Sequence, residues 1–243
     1  MLTKTRAIVL HSFKYGESKL IVELLTAQCG RVSCIMNVRT SPKSKLKRQY
    51  FSPLFILDAV LDLRRGSGLQ RISEARLAFP FTSIPYEPHK SAISMFTAEF
   101  LRCATREDQL DETAFGYIEN SIRWLDGCDG HYANFHLVFM MRMARFLGFY
   151  PDVGRHEAGS WFDMRACAFC RTAPLHHDRL VPEEADKVDL LLRMNFATMH
   201  LFKMTRAERN RMVEVILAFY RIHIPGFPEL KSLAVLQELF SGA

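Results

Sequence analysis

The chain has 243 residues, of which 49% are hydrophobic and 24% charged, and its formal net charge is +6. That length buries a sizeable core without staples, the composition excludes a disordered or fibrous chain, and no apolar run approaches the roughly 18 residues that cross a bilayer. The charge is uneven: residues 1–85 hold fourteen Lys and Arg against five Asp and Glu, a net of +9, whereas residues 86–243 hold eighteen against twenty-one, a net of −3.

Residues 1–80 read as β structure. Residues 7–13 and 20–25 are short apolar runs around the turn Lys14-Tyr15-Gly16-Glu17-Ser18. After Gly30, Val32, Cys34, Met36 and Val38 alternate with Ser33, Ile35 and Asn37, the period of two of a half-buried strand. In residues 50–63, Phe55, Leu57, Ala59, Leu61 and Leu63 share one face, opposite Asp58 and Asp62. Residues 69–79 supply a fifth strand. Five strands within 80 residues, with turns between them, suit a small barrel, and the OB-fold is the five-stranded form.

Pro80, Pro85 and Pro88 mark the change to helical patterns. Helices are predicted over residues 91–105, 113–125, 131–147, 182–194, 205–223 and 230–240. Gly148 is placed to end the third at its C′ position. Thr205 and Glu208 form a T-x-x-E capping box for the fifth. Residues 149–180 lack periodicity and contain the pair Cys167 and Cys170. The remaining cysteines, Cys29, Cys34, Cys103 and Cys128, are scattered and read as free thiols. The opening MLTKTRAIVLHSF does not have the form of a signal peptide, so a cytoplasmic protein is expected.

Between Glu23 and Asp58 there is no carboxylate, and residues 39–48 (RTSPKSKLKR) place five cations in ten positions. A barrel with a cationic loop suits nucleic acid, because cations follow phosphates and aromatic rings stack on bases. The candidate DNA-binding residues are Lys14, Lys19, Arg31, Arg39, Lys43, Lys45, Lys47, Arg48 and Tyr50, with Tyr15 and Phe51 as further rings. A run such as Lys43–Arg48 is often only a solvated loop; the long acid-free stretch around it weighs toward nucleic acid. A membrane surface is disfavoured, since these cations lie among strands and turns and not on an amphipathic helix.

The stretch TRAIVLHSFKYGESKLIVELLTAQCGRVSCIMNVRTSPKSK also resembles the opening of the bacterial recombination mediator family RecO. Residues 146–152 (FLGFYPD) resemble that family's L-G-F-x-P segment, and residues 228–236 (PELKSLAVL) its C-terminal K-S-x-x-x-L helix. The resemblance implies an α+β, two-part chain: an N-terminal five-stranded OB-fold β-barrel over 1–82, then an all-α helical domain over 83–243 with a degenerate zinc-finger-like segment at about 149–180. It implies binding of single- and double-stranded DNA and annealing of complementary strands. It also implies partnership with RecR and with the C-terminal tail of single-stranded DNA-binding protein, so that recombinase loads at gaps, and a cytoplasmic, nucleoid-associated location.

Many members of that family bind zinc through two C-x-x-C pairs. This chain has one, and structural zinc takes four ligands. Cys167, Cys170, His176 and His156 are the set on paper, but five residues between Cys170 and His176 are too few for a finger loop. No metal or other cofactor is therefore expected. In the helical part, Arg142 and Arg145 share a helix face, and Arg206, Arg209 and Arg211 crowd a helix start, where cations oppose the macrodipole. These are candidate partner-binding residues; plain surface charge paired with Glu208 and Glu214 is the other reading.

The chain contains no H-E-x-x-H, no H-x-E with P-C-x-x-C, no phosphate-binding Walker loop and no G-x-S-x-G. A non-catalytic DNA-binding mediator is the leading expectation. A metal-dependent nucleic-acid enzyme using the Cys/His segment, and a protein-only interaction scaffold, are the alternatives.

Overall fold

The computed structural model describes residues 1–37, 48–64, 68–105, 111–152, 154 and 156–239. Five strands, β1 (Leu2–Tyr15), β2 (Lys19–Thr26), β3 (Gly30–Asn37), β4 (Ile56–Asp62) and β5 (Gln70–Leu77), close into a barrel in the order β1-β2-β3-β5-β4. Neighbours are antiparallel except β3 and β5, which run parallel and meet at Cys34–Gln70 and Ile35–Arg71. This is the OB-fold barrel expected from the spacing of the strands.

Strand alternation fills the interior. β2 sends Leu20, Val22 and Leu24 inward, β3 Val32, Cys34 and Met36, and β4 Leu57, Ala59 and Leu61. Burial pushes the Cys34 thiol up to about 12, which makes it a packing group and not a nucleophile. In β1, Ala7 and Val9 face the core, and the register then slips between Val9 and His11. The extra residue, Leu10, is a β-bulge, and it flips the face of everything after it. The strand predicted to begin at residue 50 instead starts at Ile56, after a 3-10 turn at Arg48–Phe51. Phe51 is 1% exposed and plugs the barrel.

Six helices follow: α1 (Pro88–Ala104), α2 (Glu112–Gly127), α3 (Phe135–Phe146), α4 (Pro182–Arg193), α5 (Arg206–His223) and α6 (Ser232–Leu239). Contacts gather them into two compact units, Met1–Gly127 with Leu230–Leu239, and Cys128–Glu229. The unit that holds the barrel thus extends beyond residue 82 and includes α1, α2 and α6.

Ion pairs tie these helices to the barrel. Glu23 on β2 accepts from Arg31 on β3 and, at 2.9–3.0 Å, from Arg102 on α1. Arg6 on β1 bridges Asp58 at 2.8 Å and Glu119 on α2 at 2.7 Å. At the end of α2, the Asp126 carboxylate accepts the N–H groups of Thr82, Ser83 and Ile84 at 2.8–3.0 Å and the Thr82 hydroxyl at 3.0 Å. Lys90, 1% exposed, reaches the same corner through Ser83 Oγ at 2.7 Å.

Glu99 on α1 holds the start of α6. Its carboxylate accepts Lys231 N–H at 3.1 Å and Ser232 N–H at 2.8 Å, together with the Ser232 hydroxyl. The K-S pair of the C-terminal motif is therefore the point where α6 is clasped. Glu99→Ala removes these acceptors and is expected to cost about 1–3 kcal/mol. The amides of α6 should exchange with deuterium faster than those of β1–β5; unchanged protection in α6 would contradict the clasp.

Burial alone would raise the carboxyls of Glu23, Glu99 and Asp126. Hydrogen bonds to Glu23 from Arg102 and Arg31, to Glu99 from Ser232 and Lys231, and to Asp126 from Ile84, Thr82 and Ser83 outweigh it, so all three are held below their ordinary values. A depressed carboxyl contributes stability that is complete above its unfolded value, about 4, and lost as pH falls through the lower folded value. Burial also holds the His136 imidazole down at about 3 and lowers that of His11, so urea midpoints should begin to fall below about pH 6.5, and these carboxyls should make the fall steep below about pH 4. A midpoint that rose on acidification would refute the sign.

The second unit packs α3 against α4 and α5. The Tyr220 hydroxyl on α5 donates to the Met140 carbonyl on α3 at 2.7 Å. Gly148 sits at φ +85 just past α3, and Phe149 N–H bonds Ala144 O at 3.1 Å, a Schellman-type ending as predicted. Thr205 and Glu208 form the expected capping box of α5. The helix α3 starts at Phe135, four residues later than predicted, after a turn in which His131 adopts φ +61. Residues 149–180, predicted to be irregular, contain a three-stranded sheet of β6 (Trp161–Asp163), β7 (Ala168–Cys170) and β8 (Arg179–Leu180) in the order β7-β6-β8. Strands of two or three residues are too short to display a period. Among the described residues no helix is long and apolar enough to cross a membrane.

Candidate nucleic-acid interface

Pairing across β1, β2 and β3 arranges the outer face of the barrel in rows, because directly paired residues point the same way. One row holds His11, Glu23 and Ser33; the next holds Phe13, Ile21 and Ile35; the last holds Tyr15, Lys19 and Asn37. The parallel seam adds Arg71 beside Ile35. The bulge at Leu10 is what turns His11, Phe13 and Tyr15 outward. Ser12 and Lys14, paired with Val22 and Leu20, take the other face.

Asn37 ends β3 and Arg48 begins the 3-10 turn, so residues 38–47 leave and rejoin the barrel at this end. The return is fixed by the Ser12 hydroxyl, which donates to the Phe51 carbonyl at 2.7 Å. Of the residues named from sequence, Arg39, Lys43, Lys45 and Lys47 lie outside the described residues. Lys14, Lys19 and Arg48 are exposed and pair with no carboxylate among the described residues. Tyr15 is exposed; Tyr50 is half-buried against the barrel core. Phe51, named as a stacking ring, is in the core and has no free face.

Arg31 is engaged internally: it bonds Glu23, and its Nη1 donates to the Arg102 carbonyl at 2.8 Å. Sequence reasoning missed Phe13 and Arg71. Phe13 carries a local signal, strand alternation, which the bulge disguises. Arg71 carries none, because only the parallel pairing of β3 with β5 brings it to this face.

The partner-binding candidates in the second unit separate in the same way. Arg145 and Arg206 are exposed. Arg142 donates to the Met194 carbonyl at 3.1 Å. Arg209 bonds Asn134 at 3.0 Å and the Met204 carbonyl at 3.2 Å, and burial lowers its pKa. Arg211 pairs with Glu184 at 2.7 Å and Glu214 at 3.5 Å. Glu208 goes to its cap and to Lys187 at 2.9 Å, which hold its carboxyl down at about 2.

The four residues considered for zinc each have another neighbour. Cys167, at φ +54, places Sγ 3.4 Å from His223 Nε2, which in turn lies 2.8 Å from the Met164 carbonyl. Cys170 Sγ is 3.8 Å from the Trp161 carbonyl. His156 meets Asp186 at 2.7 Å, and His176 meets Asp163 at 3.3 Å. Among the described residues no three His, Cys, Asp or Glu side chains form a group that fits a metal ion.

Two domain models match the chain: "Recombination protein O N terminal" over residues 1–81 and "Recombination protein O C terminal" over residues 85–234. The chain belongs to the RecO family. Its curated relatives include the DNA repair protein RecO of Phocaeicola vulgatus, 49% identical over 241 residues, and that of Bacteroides fragilis, 48% identical over 241 residues. A third, from Porphyromonas gingivalis, is 34% identical over 245 residues. Each alignment covers 99% of this chain and 100% of the relative. The RecO family is one of DNA repair and recombination, and the two domain models meet where the sequence passes from barrel to helices.

Proposed function

We propose that the chain is a non-catalytic mediator of DNA repair and homologous recombination. It binds single- and double-stranded DNA through the barrel, anneals complementary strands, and helps load recombinase at gaps coated by single-stranded DNA-binding protein. RecR and the C-terminal tail of that protein are its partners, and the cytoplasm, at the nucleoid, is its place of work. The phosphates are met by Lys14, Lys19, Arg39, Lys43, Lys45, Lys47 and Arg48, with Tyr50 beside them. Arg145 and Arg206, both exposed, are candidate contacts for the acidic partner tail.

One observation carries the reading within a family of DNA repair. The exposed cations Lys14, Lys19 and Arg48 gather at the end of the barrel where residues 38–47 are attached, and that segment has four more cations and no acid. Anisotropy of labelled single- and double-stranded oligonucleotides across a salt series tests it. Binding should weaken steeply with salt, and complementary strands should anneal faster with the protein than without. No binding at low salt would sink the reading. Strand cleavage in the presence of a divalent metal would favour the enzyme alternative.

A further inference from the structure

The row Phe13–Ile21–Ile35, with Tyr15 above it, is unusual for the outside of a barrel. Phe13 is 42% exposed and Tyr15 54% exposed, on a strand face that is otherwise covered nearer its start, where Ile8 and Leu25 are buried. His11 leans on Phe13 with ring centroids 5.7 Å apart, at the edge of the covered part. Cations flank the rings: Lys19 pairs with Tyr15 across the strands, and Arg71 stands beside Ile35. Of the carboxylates on this face, Glu23 is bound by Arg31 and Arg102, and Asp62, the cross-strand partner of Arg71, is bound by the Met1 amino group and Arg64.

We infer that Phe13 and Tyr15 form a base-stacking platform for single-stranded DNA, with Ile21 and Ile35 as its apolar floor and Lys19 and Arg71 as its phosphate contacts. This rests on the reading of the barrel as the DNA-binding unit. The occupant follows from geometry. Two rings at i and i+2 on a strand stand about 6.8 Å apart, twice the rise of about 3.4 Å between stacked bases in a duplex. Such a pair receives bases of an extended, unstacked strand and has nothing to offer a duplex, whose base faces are covered.

Stacking and charge make separable contributions. Stacking depends on bases and barely on salt; phosphate contact depends on salt and not on bases. In the full chain, Phe13→Ala with Tyr15→Ala should weaken binding to labelled oligothymidylate by about tenfold or more. The slope of log affinity against log salt should stay that of the wild type. Affinity for an abasic oligonucleotide of the same length should not change, and Phe13→Trp with Tyr15→Trp should retain oligothymidylate binding. Wild-type affinity for oligothymidylate in the double alanine variant would overturn the platform while leaving the DNA-binding reading intact. An equal loss on abasic and thymidine strands would overturn it too, as the effect would not need bases. A wild-type protein that binds neither strand at low salt would overturn both.

Discussion

Changing Arg39, Lys43, Lys45 and Lys47 together to Gln is expected to flatten the salt dependence of single-strand binding by about three units of slope. Each phosphate neutralised on a single strand contributes roughly 0.7 to that slope, so four contacts account for the change. The corresponding loss of affinity near 0.1 M salt is several hundredfold, on the order of 4 kcal/mol. Duplex binding should lose more in slope, since each contact there counts roughly 0.9. Far-ultraviolet dichroism and the melting temperature should stay those of the wild type. The segment connects Asn37 to Arg48, and both of those ends are held by the barrel without it. Unchanged annealing in this variant would mean that the DNA lies elsewhere on the molecule.

Asp126→Ala is expected to destabilise the fold strongly. The Asp126 side chain is 2% exposed and accepts three backbone N–H groups and a hydroxyl from the segment that leads out of the barrel. Alanine leaves three donors without this acceptor, the Ile84 N–H buried and the Thr82 and Ser83 N–H groups part-buried. At about 1–3 kcal/mol for each buried group left without a partner, and with incomplete additivity, a loss of roughly 3–5 kcal/mol follows. For a chain of this size that lowers the melting temperature by about 10 °C or more. Asp126→Asn keeps one acceptor oxygen and should fall between. Because the carboxyl is held below its ordinary value, the difference between wild type and the alanine variant should shrink as pH drops below about 4. A difference that persisted undiminished into acid would mean that the carboxylate form is not the one making the bonds.

Much of this architecture is legible in the sequence. The strict alternation around Cys34 and the shared face of Leu57, Ala59 and Leu61 place two barrel strands outright, and the capping box at Thr205 places a helix start. Three features were not legible, for different reasons. The bulge at Leu10 closes the apolar run Ala7–Leu10, which is buried on both faces, so no alternation marks which residue is extra. The strands β6–β8 are shorter than one period of the signal that would reveal them. Arg71 joins the candidate site across a parallel seam, and no local pattern encodes which distant strand will lie alongside. The charge count was informative in sum and misleading in detail: Arg31 and Arg209 counted toward binding, yet both are used to hold the fold.

The clasp between Glu99 and Ser232 has a consequence for how the chain is made. The unit that contains the barrel is discontinuous, with α6 supplied only after the whole of Cys128–Glu229 has been synthesised. At roughly 5–20 residues per second, the part of α1 that receives α6 stays uncovered for about 5–25 s after α2 is complete. The second unit has time to fold in that interval, and the last helix then closes the first. A ribosome halted just before residue 230 would hold a chain whose barrel is formed and whose first unit is still open, and which should bind a holdase chaperone more tightly than the released protein does.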